Sequence, residues 1–145
     1  MTKRINIFET DPKAYEAMVA LEKYLAASQL NSSHKHLIKI RASQINGCAF
    51  CINMHTVDAR KDGETEQRIY LLNAWRETSL FTEEEKVILA MTEEITYIHK
   101  GGVSDETYDK AQKLFSAEYI AVIVMAATTI NAWNRISVSL RKEIQ

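Results

Sequence analysis

The part of the sequence best suited to chemistry is a short stretch with two cysteines and a histidine. Cys48 and Cys51 are the two cysteines of the 145-residue chain, and His55 follows the second by four positions. On a helix that begins at Cys48, a rotation of about 100° per residue places Cys51 about 60° and His55 about 20° from Cys48. Cys51 and His55 are then i, i+4 neighbours. The two cysteine Cα atoms would lie about 5–6 Å apart, which a disulfide can bridge.

Two features favour the thiolate, which is the reactive form of cysteine. The first turn of a helix stabilises negative charge through unpaired backbone N–H groups and the helix dipole. His55 can accept the thiol proton and remain beside the sulfur as a cation. We therefore expect Cys51 to be the nucleophile that a peroxide oxidises, and Cys48 to resolve the sulfenic acid to a disulfide. The reverse order stays open, because the first cysteine usually attacks in thioredoxin-type motifs and dipole proximity also favours Cys48.

Two other interpretations compete for the cysteine pair. Cysteine and histidine are good zinc ligands, but a zinc site needs a fourth ligand, which His34, His36 or His99 could supply only through the fold. The two cysteines could also be merely buried thiols. A thioredoxin fold is disfavoured, because no predicted strand precedes the motif.

The remaining sequence favours α-helix almost throughout. The chain has one Pro and four Gly, apolar residues recur at helical spacing, and no segment shows the alternation typical of a strand. Capping signals predict seven short helices in one all-α domain that spans residues 1–145. The predicted helices run from Asp11-Pro12 to Asn31-Ser32, Ser33 to Asn46-Gly47, Cys48 to Asp62-Gly63, Glu64 or Thr65 across Ile69, Leu72, Trp75 and Arg76, Thr82 to Gly101-Gly102, Ser104 to Phe115, and Ser116 to Arg141.

The composition narrows the class of protein. The chain is 46% hydrophobic and 26% charged, as is usual for a globular domain, and its formal net charge is −1. A net charge this close to zero gives poor support for nucleic-acid binding or for electrostatic membrane anchoring. We find no signal peptide, and the most apolar run, Ala117–Ile130, is shorter than a membrane span. We expect a cytoplasmic protein, where a close cysteine pair is typical of catalysis or metal binding.

The motif resembles a known family. Arg41–His55, with Cys-x-x-Cys-x-x-x-His directly after Asn-Gly, is similar to the alkylhydroperoxidase D (AhpD)-like branch of the carboxymuconolactone decarboxylase family. Asp58–Glu64 and Ile130–Arg135 match as well, so that the resemblance spans nearly the whole chain.

The resemblance implies an all-α, AhpD-like helical domain of about six to seven helices that forms a homo-oligomer, often a trimer or a hexamer. It implies thiol-dependent peroxidase or disulfide-reductase activity, with Cys51 oxidised to the sulfenic acid, Cys48 resolving and His55 matching the family histidine. No tightly bound cofactor is implied. Electrons would come from a lipoyl-bearing protein or another dithiol, a peroxide would be the substrate, and a peroxiredoxin could be a further partner.

One position departs from the family pattern. The family usually has a glutamate of a proton relay twelve residues before the first cysteine, and this sequence has His36 there. A carboxylate would orient the site and raise the pKa of His55, whereas a neutral imidazole relays a proton without supplying a fixed charge. His36 could replace that relay or be an incidental polar residue. The relay could also run through water, or peroxidase activity could be weak.

Other functions compete with the peroxidase. Decarboxylases of the same superfamily act on lactones without a redox cysteine pair, so a lyase is one alternative. A non-enzymatic redox-sensing oligomer is another. Polar residues that interrupt the apolar last helix are interpreted as a hydrogen-bonded structural cluster, although they could also form a pocket wall or a subunit interface. They are Asn131, Trp133, Asn134 and Arg135.

Overall fold

Helices form every regular element in the part of the chain that the structure describes. The computed structural model describes residues 2–144, and within that range it has eight α-helices, two 3-10 segments and no strand. This confirms the predicted all-α class. The α-helices are α1 (Ile7–Thr10), α2 (Pro12–Ala27), α3 (Ser32–Ile45), α4 (Ala49–Lys61), α5 (Glu66–Tyr70), α6 (Glu83–Thr96), α7 (Asp105–Leu114) and α8 (Ala117–Ser139). The 3-10 segments are Leu72–Glu77 and Ile98–Lys100.

Most predicted start and stop signals act as expected. Asp11 caps α2 by accepting a hydrogen bond from the Ala14 N–H, with Pro12 in the first position. Thr82 and Glu85 form a reciprocal capping box at the start of α6. Gly47 adopts a φ of +64° directly after α3, a conformation that costs glycine little, so the chain can reverse there into α4.

Helix α6 ends at Thr96, ahead of the predicted stop at Gly101-Gly102, and α1 was not predicted. Two further helix boundaries differ from the prediction. The first long helix ends at Ala27 rather than at Asn31-Ser32, because the N–H and the hydroxyl of Ser28 both bond to the carbonyl of Leu25. The next helix is capped by Asn31 rather than by Ser33, since the Asn31 side chain accepts hydrogen bonds from the N–H groups of Ser33 and His34. Local hydrogen-bond competition therefore moved both boundaries.

The predicted helix after Thr65 is broken. It divides into α5 and the 3-10 segment Leu72–Glu77, with Ala74 at φ −114° and ψ 24°. Leu72 and Trp75 are both buried in the core, on a stretch of backbone that is not α-helical. Here tertiary packing takes precedence over the helical spacing of the sequence.

Helix α3 lies at the centre of the molecule. It packs against α4, α6 and α8. Ile38 and Ala42 join the core cluster shared with α6 and α8, whereas Leu37 and Ile40 join a second cluster with α4 and the 3-10 segment. Because α3 and α4 are joined by a short turn at Gly47, they form an antiparallel hairpin, and this hairpin carries the candidate site. No helix within residues 2–144 combines the length and the apolar character needed to cross a membrane.

Candidate functional site

The two cysteines are joined at the start of α4. Cys48 is the N-cap residue and Cys51 lies in the first turn, and their Cα atoms are 5.3 Å apart across a disulfide. Both side chains are only 2% exposed. The predicted helix start and cysteine spacing are therefore confirmed, and the pair is oxidised in this structure.

The Cys48 sulfur receives the hydrogen bond of the helix cap. Its Sγ accepts from the backbone N–H of Cys51 at 3.3 Å. An N–H donor and the helix dipole both favour negative charge on a sulfur in this position. When the disulfide opens, Cys48 can therefore leave as a thiolate, which suits a resolving cysteine and also keeps a nucleophilic role for it open.

His55 lies one turn beyond Cys51 on the same helix, and its side chain is 7% exposed. Burial, followed by the nearby charge of Lys39, lowers the pKa of His55 to about 4, against a smaller opposing effect of Asp58. With the disulfide closed, His55 is therefore a neutral imidazole at physiological pH. It is available as a proton acceptor, and its surroundings disfavour the resident cation that the sequence suggested.

The structure brings His36 and His55 to one cavity. A polar cavity of about 220 Å³ lies along the α3–α4 seam, and both histidines line it. The remaining lining residues are charged: Lys35, Lys39, Asp58, Lys61 and Asp62. The two histidines are thus neighbours across the hairpin, as a shared role requires.

Asp62 is a site residue that the sequence reasoning missed. His36 Nε2 lies 2.6 Å from Asp62 Oδ2, and the Ser32 hydroxyl donates to the same oxygen at 3.2 Å. The hydrogen bond from His36 is the main reason that the pKa of Asp62 is lowered. The proximity of Asp62 to His36 could have been predicted, because an antiparallel hairpin that turns at Gly47 places the end of α4 beside the start of α3. The carboxylate absent from position 36 is supplied by the helix opposite.

The charge of Lys39 is held in place from another helix. Lys39 is buried, and its Nζ donates to Glu22 Oε2 on α2 at 2.9 Å. Glu22 also accepts from the Trp133 indole N–H at 2.9 Å. The ion pair therefore fixes a positive charge near His55 and explains part of the lowered pKa.

An asparagine cluster anchors the loop before the cysteines. The Asn46 amide donates to Asn131 Oδ1 at 2.8 Å and to Asn134 Oδ1 at 2.9 Å. Asn134, fully buried, donates in turn to the Ser43 hydroxyl at 3.0 Å. Arg135 donates to the backbone and side chain of Asn131. The interpretation as a hydrogen-bonded structural cluster is confirmed for Asn131, Asn134 and Arg135, which tie α8 to the turn between α3 and α4, whereas Trp133 donates to Glu22 instead.

The histidines considered as a fourth zinc ligand are used elsewhere or lie apart from the pair. His34 Nδ1 lies within hydrogen-bond distance of the Tyr119 hydroxyl, at 2.7 Å, and burial lowers the pKa of His34. His99 lies in the 3-10 segment Ile98–Lys100. Within residues 2–144, no group of three or more His, Cys, Asp and Glu side chains is arranged to hold a metal ion.

Comparison with known proteins gives consistent matches. Residues 12–94 match the model of the carboxymuconolactone decarboxylase family. The uncharacterized protein YdfG of Bacillus subtilis (strain 168) is 46% identical over 140 residues, which is 97% of this chain and 95% of that protein.

Solved structures match over the same span. One is a crystal structure of an Agrobacterium tumefaciens protein of unknown function, described as a candidate AhpD antioxidant defence protein. It has a TM-score of 0.95 and 42% identity over 99% of each chain. An uncharacterized peroxidase-related protein from Ralstonia eutropha JMP134, described as an alkylhydroperoxidase AhpD core, has a TM-score of 0.83 and 13% identity. That match covers 95% of this chain and 74% of the other, and at this identity it shows a shared fold alone.

Proposed function

We infer the function from one premise, which is that the chain is an AhpD-like member of the carboxymuconolactone decarboxylase family. We propose that it is a thiol-dependent antioxidant oxidoreductase that reduces hydroperoxides by cycling the Cys48–Cys51 disulfide. One observation carries the proposal: the two cysteines are joined at the N-terminus of α4, one turn before a buried, neutral His55. This arrangement combines a redox couple with a proton acceptor.

The proposed oxidation proceeds in two steps. His55 takes the proton of the Cys51 thiol, and the Cys51 thiolate attacks the terminal oxygen of a hydroperoxide, breaking the O–O bond. The products are the Cys51 sulfenic acid and an alkoxide, which receives the proton and leaves as an alcohol. Cys48 then attacks the sulfenic sulfur, forming the disulfide and releasing water.

The helix cap supports this division of roles. The hydrogen bond from the Cys51 N–H to Cys48 Sγ stabilises charge on Cys48. Cys48 is thereby suited to attack the sulfenic acid and to leave as a thiolate when the disulfide is reduced again. Cys51 is the cysteine one turn from His55, as an activated nucleophile requires.

The reduction half of the cycle needs two electrons and two protons from outside the chain. We propose a dithiol as their source, carried by a lipoyl-bearing protein or another redox protein, with a peroxiredoxin as a further partner. A couple recycled by a dithiol works where thiols are kept reduced, and we propose the cytoplasm.

A thiol titration with mass spectrometry tests the proposal. The reduced protein should show two free thiols. One equivalent of hydroperoxide should remove both, with loss of two hydrogens from the mass and one bridge between Cys48 and Cys51. Two thiols that stay free under peroxide would overturn the proposal, and lactone turnover by a lyase would be tested next.

Single cysteine substitutions test the division of roles. Cys48→Ser, which keeps a side chain able to cap α4, should accumulate a sulfenic acid at Cys51 that a dimedone reagent traps. Cys51→Ser should consume no peroxide and give no adduct. An adduct in Cys51→Ser alone would show that the two roles are reversed.

A further inference from the structure

The atom that prompts the inference is Nδ1 of His36. The His36 side chain is 5% exposed, and Nδ1 is buried without a hydrogen-bond partner, the one such side-chain atom found within residues 2–144. Buried polar atoms are nearly always paired, because leaving one unpaired destabilises the fold. An exception of this kind, on a histidine that shares a cavity with His55, requires an explanation.

The opposite side of the ring is fully engaged. His36 Nε2 lies 2.6 Å from Asp62 Oδ2, and the lowered pKa of Asp62 keeps that group a carboxylate at neutral pH. An ionised carboxylate can only accept hydrogen bonds, so Nε2 must carry a proton. In the neutral ring, the lone pair is therefore on Nδ1. A carboxylate that fixes a histidine tautomer in this way prepares the other nitrogen as a base.

We propose that in the reduced protein His36 Nδ1 takes up the proton that His55 removes from Cys51, and that Asp62 is the positioning residue that fixes the His36 tautomer and balances its charge. The inference rests on the proposed function. In the disulfide form, His36 Nδ1 is an acceptor without a partner. In the reduced form, the proton from Cys51 would occupy it. Both histidines line the same polar cavity, and in the disulfide form the Nδ1 atom itself is closed to solvent.

The proton balance of the relay closes over one turnover. The Cys51 thiol loses a proton to His55, which passes a proton across the cavity to His36. The imidazolium of His36 is paired with Asp62. When the O–O bond breaks, the same route returns the proton to the alkoxide, so the relay neither gains nor loses a proton.

The charges around His55 explain why it needs a second acceptor. Burial and Lys39, with smaller effects of His36 and Lys35, hold the pKa of His55 at about 4. Asp58 opposes them from α4, and Lys61 is a further cation of the cavity. Glu22 on α2 pairs with Lys39. A proton is therefore poorly held on His55, whereas His36 has a carboxylate in direct contact.

The test is the pH dependence of Cys51 alkylation. We would use the reduced Cys48→Ser protein, in which Cys51 is the single cysteine, with and without Asp62→Ala. Losing the carboxylate makes the thiolate and imidazolium pair less favourable, so the alkylation midpoint should move to higher pH. We expect the rate at pH 6 to fall about tenfold, which corresponds to a change of about one unit in the thiol pKa.

Ser32→Ala is the matched control. The Ser32 hydroxyl is the other hydrogen-bond donor to Asp62 Oδ2, and its removal leaves the carboxylate beside His36. This variant should retain the parent alkylation profile. An unchanged profile in Asp62→Ala, or an equal change in Ser32→Ala, would overturn the inference. If Asp62→Ala does not fold, Asp62→Asn removes the same charge at constant size and decides the question.

Nitrogen-15 NMR of His36 gives a readout that does not depend on activity. In the disulfide form of the wild type, Nε2 should be protonated and Nδ1 unprotonated, and reduction should shift the Nδ1 signal. A proton on Nδ1 with Nε2 free would overturn the inference.

Peroxide consumption is measured in parallel. A wild type that consumes no peroxide overturns the proposed function, while the alkylation profile still decides the role of Asp62.

Discussion

At the scale of single residues, the site depends on how burial and charge set protonation states. His55 is close in sequence to the cysteines, yet its pKa is set by contacts from elsewhere, mainly burial and Lys39. Lys39 belongs to α3, and its partner Glu22 belongs to α2. The protonation state of His55 therefore depends on side chains of α2 and α3 as well as on its own helix.

The low pKa of His55 predicts an acid-sensitive stability of the oxidised protein. In the unfolded chain His55 has a pKa near 6.5, so between pH 6.5 and about 4 the unfolded state binds more protons than the folded state. Stability must then decrease as the pH falls through this window, by up to about 3 kcal/mol from His55. Urea unfolding of the oxidised protein at pH 7 and pH 4.5 measures the change.

His55→Gln is the control for that measurement. Burial also lowers the pKa of His34, so the wild type should lose stability from both residues, and the variant from His34 without His55. The difference between the two proteins isolates His55. Equal losses in wild type and variant would show that His55 is not held neutral.

At the scale of elements, the α3–α4 hairpin is the unit that forms the site. It places Cys48 and Cys51 at its turn, His36 and Asp62 at its open end, and His55 between them. The turn itself is secured from outside the hairpin, because Asn46 hydrogen-bonds to two asparagines of α8. The geometry of the disulfide loop therefore depends on a helix more than 80 residues away in the chain.

Removing one asparagine of that anchor should weaken the fold measurably. Asn134 is fully buried and bonds to Asn46 and Ser43, so Asn134→Ala leaves polar groups with fewer partners. We expect a loss of about 1–3 kcal/mol in the free energy of unfolding by urea. The control is Asn53→Ala, an exposed position on α4, which should change stability by less than about 0.5 kcal/mol. Equal effects of the two substitutions would show that the anchor carries no special stability.

At the scale of the whole molecule, one groove exposes apolar side chains beside polar and charged ones. A groove of about 660 Å³ beside α4 and α5 is lined by Ile52, Val57, Ile69 and Tyr70, and Tyr70 is 70% exposed. Ile52 follows Cys51 directly, so the groove borders the redox motif. We propose that a second copy of the chain covers it in the homo-oligomer that the family resemblance implies.

A charge placed in the groove tests that proposal. Tyr70→Glu should shift the wild-type oligomer toward smaller species in size-exclusion chromatography with light scattering, because association would bury the new carboxylate. Tyr108→Glu is the matched control, since Tyr108 is 43% exposed on α7, outside the groove. A monomeric wild type, or equal dissociation by both variants, would contradict this assignment of the interface.

The sequence by itself determined the helical class, most helix caps and the reactive triplet. These features are local: Gly47 and the Cys48 cap fix the start of α4, and helical rotation then places Cys51 and His55 in register. Two of the boundaries it missed, at Ser28 and Asn31, depended on competing local hydrogen bonds.

Only the tertiary structure decided the electrostatics of the site and the roles of distant residues. The Asp62 carboxylate meets His36 because α3 and α4 lie antiparallel, and the broken segment Leu72–Glu77 follows the burial of Trp75 rather than its helical spacing. The pKa values of the site residues also depend on the tertiary structure, since desolvation and charge act through space and not along the chain. The motif therefore placed the cysteine pair and His55 within two turns of α4, and the packing of α2, α3, α4 and α8 around it set the charges that surround them.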